Sequence, residues 1–532
     1  MLIPKADKPL TEPSSFRPLC MLDTGGKVFE EVISGRLEQY TEGPHGLSDW
    51  QFGFRKGKST IDAADKVCNI AKAALEGTRW LGGSKEYCVV VTLDVKNAFN
   101  SAEWGAIIQA LAEMRVPPYL INIVKSYFKE RYVVYDTEEG AKIYEVSAGV
   151  PQGSVLGPVL WNAMYNGIFL IDKPEGVTIV GYADDIAIVA VAKQIDELRA
   201  KCEATVNNVK VWLQRKGLEL AEHKTEMVLL SSRKRVENIT IRVGDHLISS
   251  QPEIKYLGIL IDHRLSFRPH LLMAGQKALR VSSAIARILP NTGGPRLAAR
   301  QLLASVSTST MMYGDPIWYS STRFESYTRV MVSAHRISSL RVCCAFRTVS
   351  SNAASVIAGR MPVNLLAKKA AAIRNLRASD SANRENKAAV ESILQEQWQD
   401  MWDNATNGRW THSLIPNVKE WLKKKHGEPN YYMTQFLSGH GCFREYLFKY
   451  RHVESPFCLT CEGIVENAEH VFIECIRFTA ARSALEEIMN EPVTCSGIVT
   501  HMTESKDKWQ KISHIIAAIM LQLRHEEREA RQ

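Results

Sequence analysis

Asp94 and the pair Asp184-Asp185 are the acids of this 532-residue sequence best placed to do chemistry. Asp94 closes the apolar run Cys88–Leu93, and Asp184-Asp185 sits between two further runs, Val177–Tyr182 and Ile186–Ala190. Short runs rich in Val and Ile predict buried strands. Each acid therefore stands where a rigid strand reaches solvent. The tight Ala183-Asp184-Asp185 connection predicts a hairpin with acids at its tip. Strands brought side by side would gather two or three carboxylates within a few ångströms. Unpaired, such a cluster repels itself and holds protons; a divalent cation removes that penalty, and hard oxygen ligands select Mg²⁺. Two such ions about 4 Å apart can clamp the attacking and leaving oxygens of an in-line phosphoryl displacement. Taken singly, each acid is better explained as a turn residue that ends a strand.

A second constellation lies near the C-terminus. Cys458-x2-Cys461-x8-His470-x4-Cys475 supplies three thiolates and one imidazole, the donor set of a closed tetrahedral Zn²⁺ site. A bound metal would fold a short segment that lacks its own core. Simple buried cysteines are the plainer alternative, as Cys343-Cys344 illustrates, and His440, Cys442 and His452 are near enough to compete as ligands. Trp398, Trp402, Trp410 and Trp421 fall at irregular helical spacings. They read as the core of C-terminal helices rather than a base-stacking site.

The elements that must position these residues follow from periodicity. Helices are expected over Ala102–Met114 and Tyr119–Arg131, parted by Pro117-Pro118, then over Ser154–Leu170 and Asp196–Lys216. Strands are expected near Met227–Leu230, Ile239–Val243 and Ile254–Ile261. Helices and strands alternate in an α+β manner, with antiparallel pairing implied by the hairpin. From about Leu265 the strand signals fade into helix-favouring sequence that runs to about Arg377, and the polar stretch Ser379–Lys387 reads as a linker or loop.

Composition bounds the rest. The apolar fraction of 45% and charged fraction of 23% are ordinary for a globular protein. No window has the length and apolarity of a membrane span; Val155–Ile171 is interrupted by Pro158, Asn162 and Asn166. Eleven cysteines, an odd and scattered set, do not suggest a disulfide framework and fit a reducing compartment. The net charge of +8 is unevenly spread: Ser266–Ser379 carries 16 Lys+Arg against Asp315 and Glu325 alone. A basic segment of that length points to nucleic-acid phosphates.

The words around the acids narrow the reading. Tyr182–Asp185 (YADD), preceded by Leu93–Phe99 (LDVKNAF) with Gly149–Asn166 (GVPQGSVLGPVLWNAMYN) between them, resembles the catalytic core of reverse transcriptases. Leu2–Lys5 with Phe16–Glu30 is similar to that family's fingers motifs, Gln51–Thr60 to a following motif of retrotransposon enzymes, His223–Thr225 to a motif beside the leaving pyrophosphate, and Tyr256–Ile259 to the primer-gripping turn. The resemblance implies that Asp94, Asp184 and Asp185 hold two Mg²⁺ ions, and that Lys5 and Arg17 hold the incoming triphosphate. It assigns Phe99 to the bulky position that clashes with a ribose 2′-hydroxyl, and gives Gln152 reach to the nucleotide. It makes Lys224 a proton donor to pyrophosphate, and Tyr256, Leu257 and Gly258 the primer grip. The cysteine–histidine cluster, with Phe436–Leu447 before it, resembles the end of non-LTR (LINE-type) retrotransposon proteins, especially the jockey-like arthropod elements.

The implied architecture is a right-hand polymerase: partial fingers and palm over 1–264, a basic helical thumb over 265–378, and a helical region over 379–532 with a structural zinc site at 458–475. The implied partners are an RNA template, a DNA primer or target DNA, and deoxynucleoside triphosphates, with no membrane. The implied location is the nucleus at the integration site and the cytoplasm as a ribonucleoprotein. Complete elements of this kind carry an endonuclease and more fingers sequence upstream, so a truncated copy or a partial gene model is expected. The alternative function is a non-catalytic nucleic-acid-binding remnant.

Overall fold

The computed structural model describes residues 2–4, 9, 11, 15–76, 85–137, 140–233 and 237–529; Lys5 lies outside the described residues. Packing divides the chain into two compact units, Met1–Phe267 and Arg268–Gln532.

The first unit is built on a four-stranded antiparallel sheet, in the order Glu226–Leu230, Tyr87–Leu93, Asp185–Ala192, Val177–Tyr182. The two middle strands are apolar almost throughout because both faces of the sheet are covered. Side chains alternate across a strand. Val89, Val91, Leu93, Ile186 and Ile188 therefore share one cluster with Leu160 and Trp161 of helix Leu156–Tyr165 and Val206 and Val209 of helix Ile195–Arg215. Helix Thr60–Leu75 also packs on the sheet, and its buried side is mostly alanine, which allows close approach. A reciprocal cap between Ser59 and Asp62 fixes where that helix starts.

Helices Trp104–Glu113 and Pro118–Phe128 lie where expected, with Pro118 in the first turn, where its missing N–H costs nothing. The run Ile254–Ile261, a strand by its pattern and a turn at Tyr256–Ile259 by the family resemblance, is a hairpin, Glu253–Tyr256 paired with Ile259–Asp262. Its turn residues Leu257 and Gly258 both have positive φ, 45° and 84°, as a tight two-residue turn requires. A further hairpin, Tyr132–Thr137 with Gly140–Glu145, was not anticipated from the sequence.

The second unit is helical. The expected thumb and C-terminal region both fall in it, and one cluster of buried side chains runs from Ala304 to Leu523. The polar stretch expected as a linker or loop holds a short connection between helices Val363–Ala378 and Arg384–Asp403, closed when Asn383 accepts from the Asn386 N–H at 2.8 Å. Trp398, Trp402 and Trp421 are core residues, and Trp410, partly buried, packs against the same core. No described cysteine is joined in a disulfide, and no described helix is long and apolar enough to cross a membrane.

Candidate active site and metal centre

Strand register carries Asp94 to the other two acids. Leu93 pairs with Ile186 across the middle strands, so Asp94, one step on, comes opposite Asp185. Tyr182 pairs with Asp185, which leaves Ala183 and Asp184 as the turn, with Ala183 at a φ of 57°. Asp185 is thus the first residue of a strand rather than part of the turn. Burial, partly offset by a backbone hydrogen bond, raises the Asp184 carboxyl. Burial, then the like charges of Asp184 and Asp94, pushes Asp185 up to about 6. Among the described residues, one cation lies within ion-pair distance of the three acids: Lys224 Nζ, 2.6 Å from Asp94 Oδ2. Crowded carboxyls with so little counter-charge fit divalent cations held by hard oxygen ligands. Asp94, Asp184 and Asp185 are the residues that could hold them.

Two clefts open on these acids. One, of about 540 Å³, is lined by Arg17, Asp94, Phe99, Gln152, Asp184 and Lys224, among others. The other, of about 490 Å³, is lined by Asp94, Asp185, Lys224, Tyr256, Leu257 and Gly258, among others. Asp94 and Lys224 belong to both walls. The residues singled out for the nucleotide share the first cleft, Lys5 aside, and those singled out for the primer share the second.

Side chains that the sequence reading gave no role hold this arrangement. Glu30, 3% exposed, accepts from the Val155 and Leu156 N–H groups at 2.6 and 3.3 Å and from the Tyr127 hydroxyl at 2.7 Å. It thereby satisfies free donors at the start of helix Leu156–Tyr165. The Gln152 carbonyl accepts from Cys20 N–H at 2.8 Å, and a Cβ on Gly153 would meet the Cys20 carbonyl at 2.8 Å, so only glycine lets these segments touch. Beneath the turn, Phe52 N–H donates to the Gly181 carbonyl and Gly181 N–H to the Trp50 carbonyl, at 2.8 and 2.9 Å. Gln51 is wholly buried; its amide donates to the Ala183 carbonyl at 3.4 Å and accepts from Gly53 N–H at 3.1 Å. Asn162 donates to the Gly53 carbonyl at 2.8 Å, which ties helix Leu156–Tyr165 to the same loop. The available signal was the word QFGF itself, whose Gln and Gly are unusual in an apolar setting.

In the second unit Cys458, Cys461, His470 and Cys475 bring their donor atoms within 4.8 Å of one another. The Cys475 sulfur lies 3.8 and 3.9 Å from those of Cys458 and Cys461. A tetrahedron with Zn–S bonds of about 2.3 Å has edges of about 3.8 Å. His470 Nε2 is buried without a partner, while Nδ1 lies 3.4 Å from Glu474, the kind of carboxylate contact that orients a ligating imidazole. Burial raises the Cys458 thiol, but the N–H groups of Thr460 and Cys461, with His470, outweigh it and hold it near about 7. These four residues fit a bound Zn²⁺. His440 instead meets the Thr348 hydroxyl at 2.9 Å, and neither it, Cys442 nor His452 joins the cluster.

Residues 3–261 match the family described as reverse transcriptase (RNA-dependent DNA polymerase). The α+β unit with its three acids is therefore the part of the chain that carries the polymerase fold. The relatives are mobile-element proteins. A Pol polyprotein of the type-1 retrotransposable element R1 from Bradysia coprophila is 28% identical, over 89% of this chain and 48% of its own length. A 115 kDa protein of element R1DM from Drosophila melanogaster is 26% identical, over 98% and 51%. The polymerase of the mobile element jockey from the same fly is 30% identical, over 53% and 31%. This chain carries a reverse transcriptase domain, and these relatives are proteins of non-LTR retrotransposons. It spans about half the length of the first of these curated relatives. Likeness to solved structures is loose: a Candida tropicalis telomerase gives a TM-score of 0.35 at 13% identity, over 70% of this chain and 56% of the other.

Proposed function

We propose that this chain copies RNA into DNA, extending a primer 3′-hydroxyl with deoxynucleoside triphosphates on an RNA template. The observation that carries this reading is the meeting of Asp94, Asp184 and Asp185 at one end of the sheet's strands, between two clefts. Asp94, Asp184 and Asp185 would hold two Mg²⁺ ions. Bound there, divalent cations supply Lewis-acid stabilisation of the attacking and leaving oxygens.

The chain's own residues do the rest. Arg17 presents a planar fork to the triphosphate. Gln152, on its glycine-shaped turn, orients the nucleotide, and Phe99 excludes a ribose 2′-hydroxyl. Tyr256, Leu257 and Gly258 hold the primer end against Asp185. Lys224, paired with Asp94 in this structure, competes with cations for that carboxylate and, once freed, donates a proton to the leaving pyrophosphate. Lys5 would add charge at the triphosphate. Cys458, Cys461, His470 and Cys475 would hold a structural Zn²⁺, and the basic second unit would bind the nucleic-acid backbone. By kinship the protein works in the nucleus at the integration site and travels as a cytoplasmic ribonucleoprotein, and an endonuclease elsewhere in a complete element cuts the target.

Primer extension on RNA with purified protein tests the reading. Asp184→Ala should slow extension by about a thousandfold or more, since several kcal/mol of transition-state stabilisation are lost. An unchanged rate ends the assignment. Tight binding of primer–template with no extension by the unaltered chain would favour a non-catalytic remnant.

A further inference from the structure

Phe99 does not stand alone in the nucleotide cleft. Its ring stacks on that of Trp161, with centroids 5.1 Å apart and planes 16° apart. The Phe54 ring meets it edge-on, at 5.8 Å and 82°. Trp161 is fully buried and stacks in turn on Tyr165 at 4.7 Å, so that side of Phe99 is backed by the core. Phe54 differs. It lines the cleft with Phe99, is 50% exposed, and has a φ of 55°.

A bulky residue adopts such a backbone only where its surroundings impose it, and strain of this kind gathers at functional sites. The surroundings here are explicit. Its neighbour Gly53 is held by Gln51 and Asn162, one residue from the point where Gly181 anchors Phe52. A half-exposed ring gains little from burial, so what the strained backbone secures is the ring's position.

We infer that Phe54 is a specificity-determining residue for the sugar of the incoming nucleotide, acting as a positioning residue through Phe99. It closes the cleft side of the Phe99 ring, which Trp161 closes from the core, so the ring has nowhere to turn. This rests on the reading that Phe99 faces the 2′ position. Rejection by clash is only as steep as the clashing group is rigid, because a ring that can rotate away accommodates the extra hydroxyl. Without Phe54 the Phe99 ring keeps its stacking partner but loses its outer stop.

The test compares deoxy- and ribonucleoside triphosphates in single additions to a primer on an RNA template. The same comparison is made by equilibrium binding to the chain–primer–template complex, so that turnover is not the only readout. Phe54→Ala should narrow the preference for deoxynucleotides by about tenfold, a modest part of what a shaped pocket can deliver. The change should come through better ribonucleotide use, with deoxynucleotide kcat nearly unaltered. Phe54→Leu should restore most of the preference. Phe99→Val should narrow it further, and adding Phe54→Ala to Phe99→Val should do nothing more, since coupled residues are not additive. If Phe99→Val erases the preference while Phe54→Ala leaves it intact, the inference is overturned and the reading of Phe99 stands. If both nucleotides suffer equally in Phe54→Ala, with Phe54→Leu no better, Phe54 is only structural and the inference is again overturned. If Phe99→Val leaves the preference unchanged, the reading of Phe99 falls and takes this inference with it.

Discussion

Asp185 holds its proton more tightly than a free carboxyl because of partial burial and because Asp184 and Asp94 are already there. The sign of the consequence follows. A carboxyl whose folded value, about 6, exceeds its ordinary 3.8 stabilises the metal-free fold below pH 3.8, and that contribution is lost as pH rises to about 6. The residue opens to solvent, so the effect on stability should be small. Its effect on metal binding is direct, because cations and protons compete for the same oxygens. Extension should therefore fall as pH drops through about 6, and raising Mg²⁺ should move the midpoint to lower pH. Rate profiles at two Mg²⁺ concentrations check this; a midpoint indifferent to Mg²⁺ would separate the proton from the metal site.

At the scale of elements, the catalytic turn is held in place from below. Gly53 lies so close to it that an added Cβ would meet the Ala183 nitrogen at 2.1 Å and the Ala183 Cα at 2.8 Å. Those contacts are backbone, which cannot swing aside as a flexible side chain would. Gly53→Ala should cost about 1–3 kcal/mol of stability, as overpacking does, and should depress extension further by tilting Ala183 and Asp184. Thermal unfolding read beside extension at a temperature where the variant is folded separates the two effects. Full activity in a folded variant would show that the turn does not depend on this contact. The same scale explains a limit of sequence reading. QFGF is legible as a motif, yet nothing in the word reveals that its backbone pairs with Gly181, some 130 residues away in the chain.

The whole molecule is two units with separate cores, and the cysteine–histidine cluster belongs to the second. Cys458, Cys475 and their neighbours Val471 and Phe472 join that core, so losing a metal there should loosen a packed region rather than a free tail. A strong Zn²⁺ chelator, or Cys458→Ser, should lower the melting temperature of the second unit by about 2–4 °C for each kcal/mol lost and leave the first unit unmoved. Calorimetry of the full chain, with zinc measured by elemental analysis, tests this. Purified protein free of zinc, with a melt unaffected by the chelator, would return the four residues to the status of buried cysteines and a histidine.

The three acids, the strands that carry them, the α+β character of the first half and the four-residue cluster near the end were all legible in the chain, because local periodicity and spacing encode them. The family resemblance also placed a turn at Tyr256–Ile259, inside an apolar run whose pattern alone read as a single strand. What tertiary structure alone decided is which distant segments touch: Leu93 beside Ile186, Glu30 under the start of the pocket helix, Gln51 beneath the turn, and Phe54 against Phe99. Such contacts depend on how whole elements fill a common core, and a buried carboxylate or a strained phenylalanine looks ordinary until its neighbours are known.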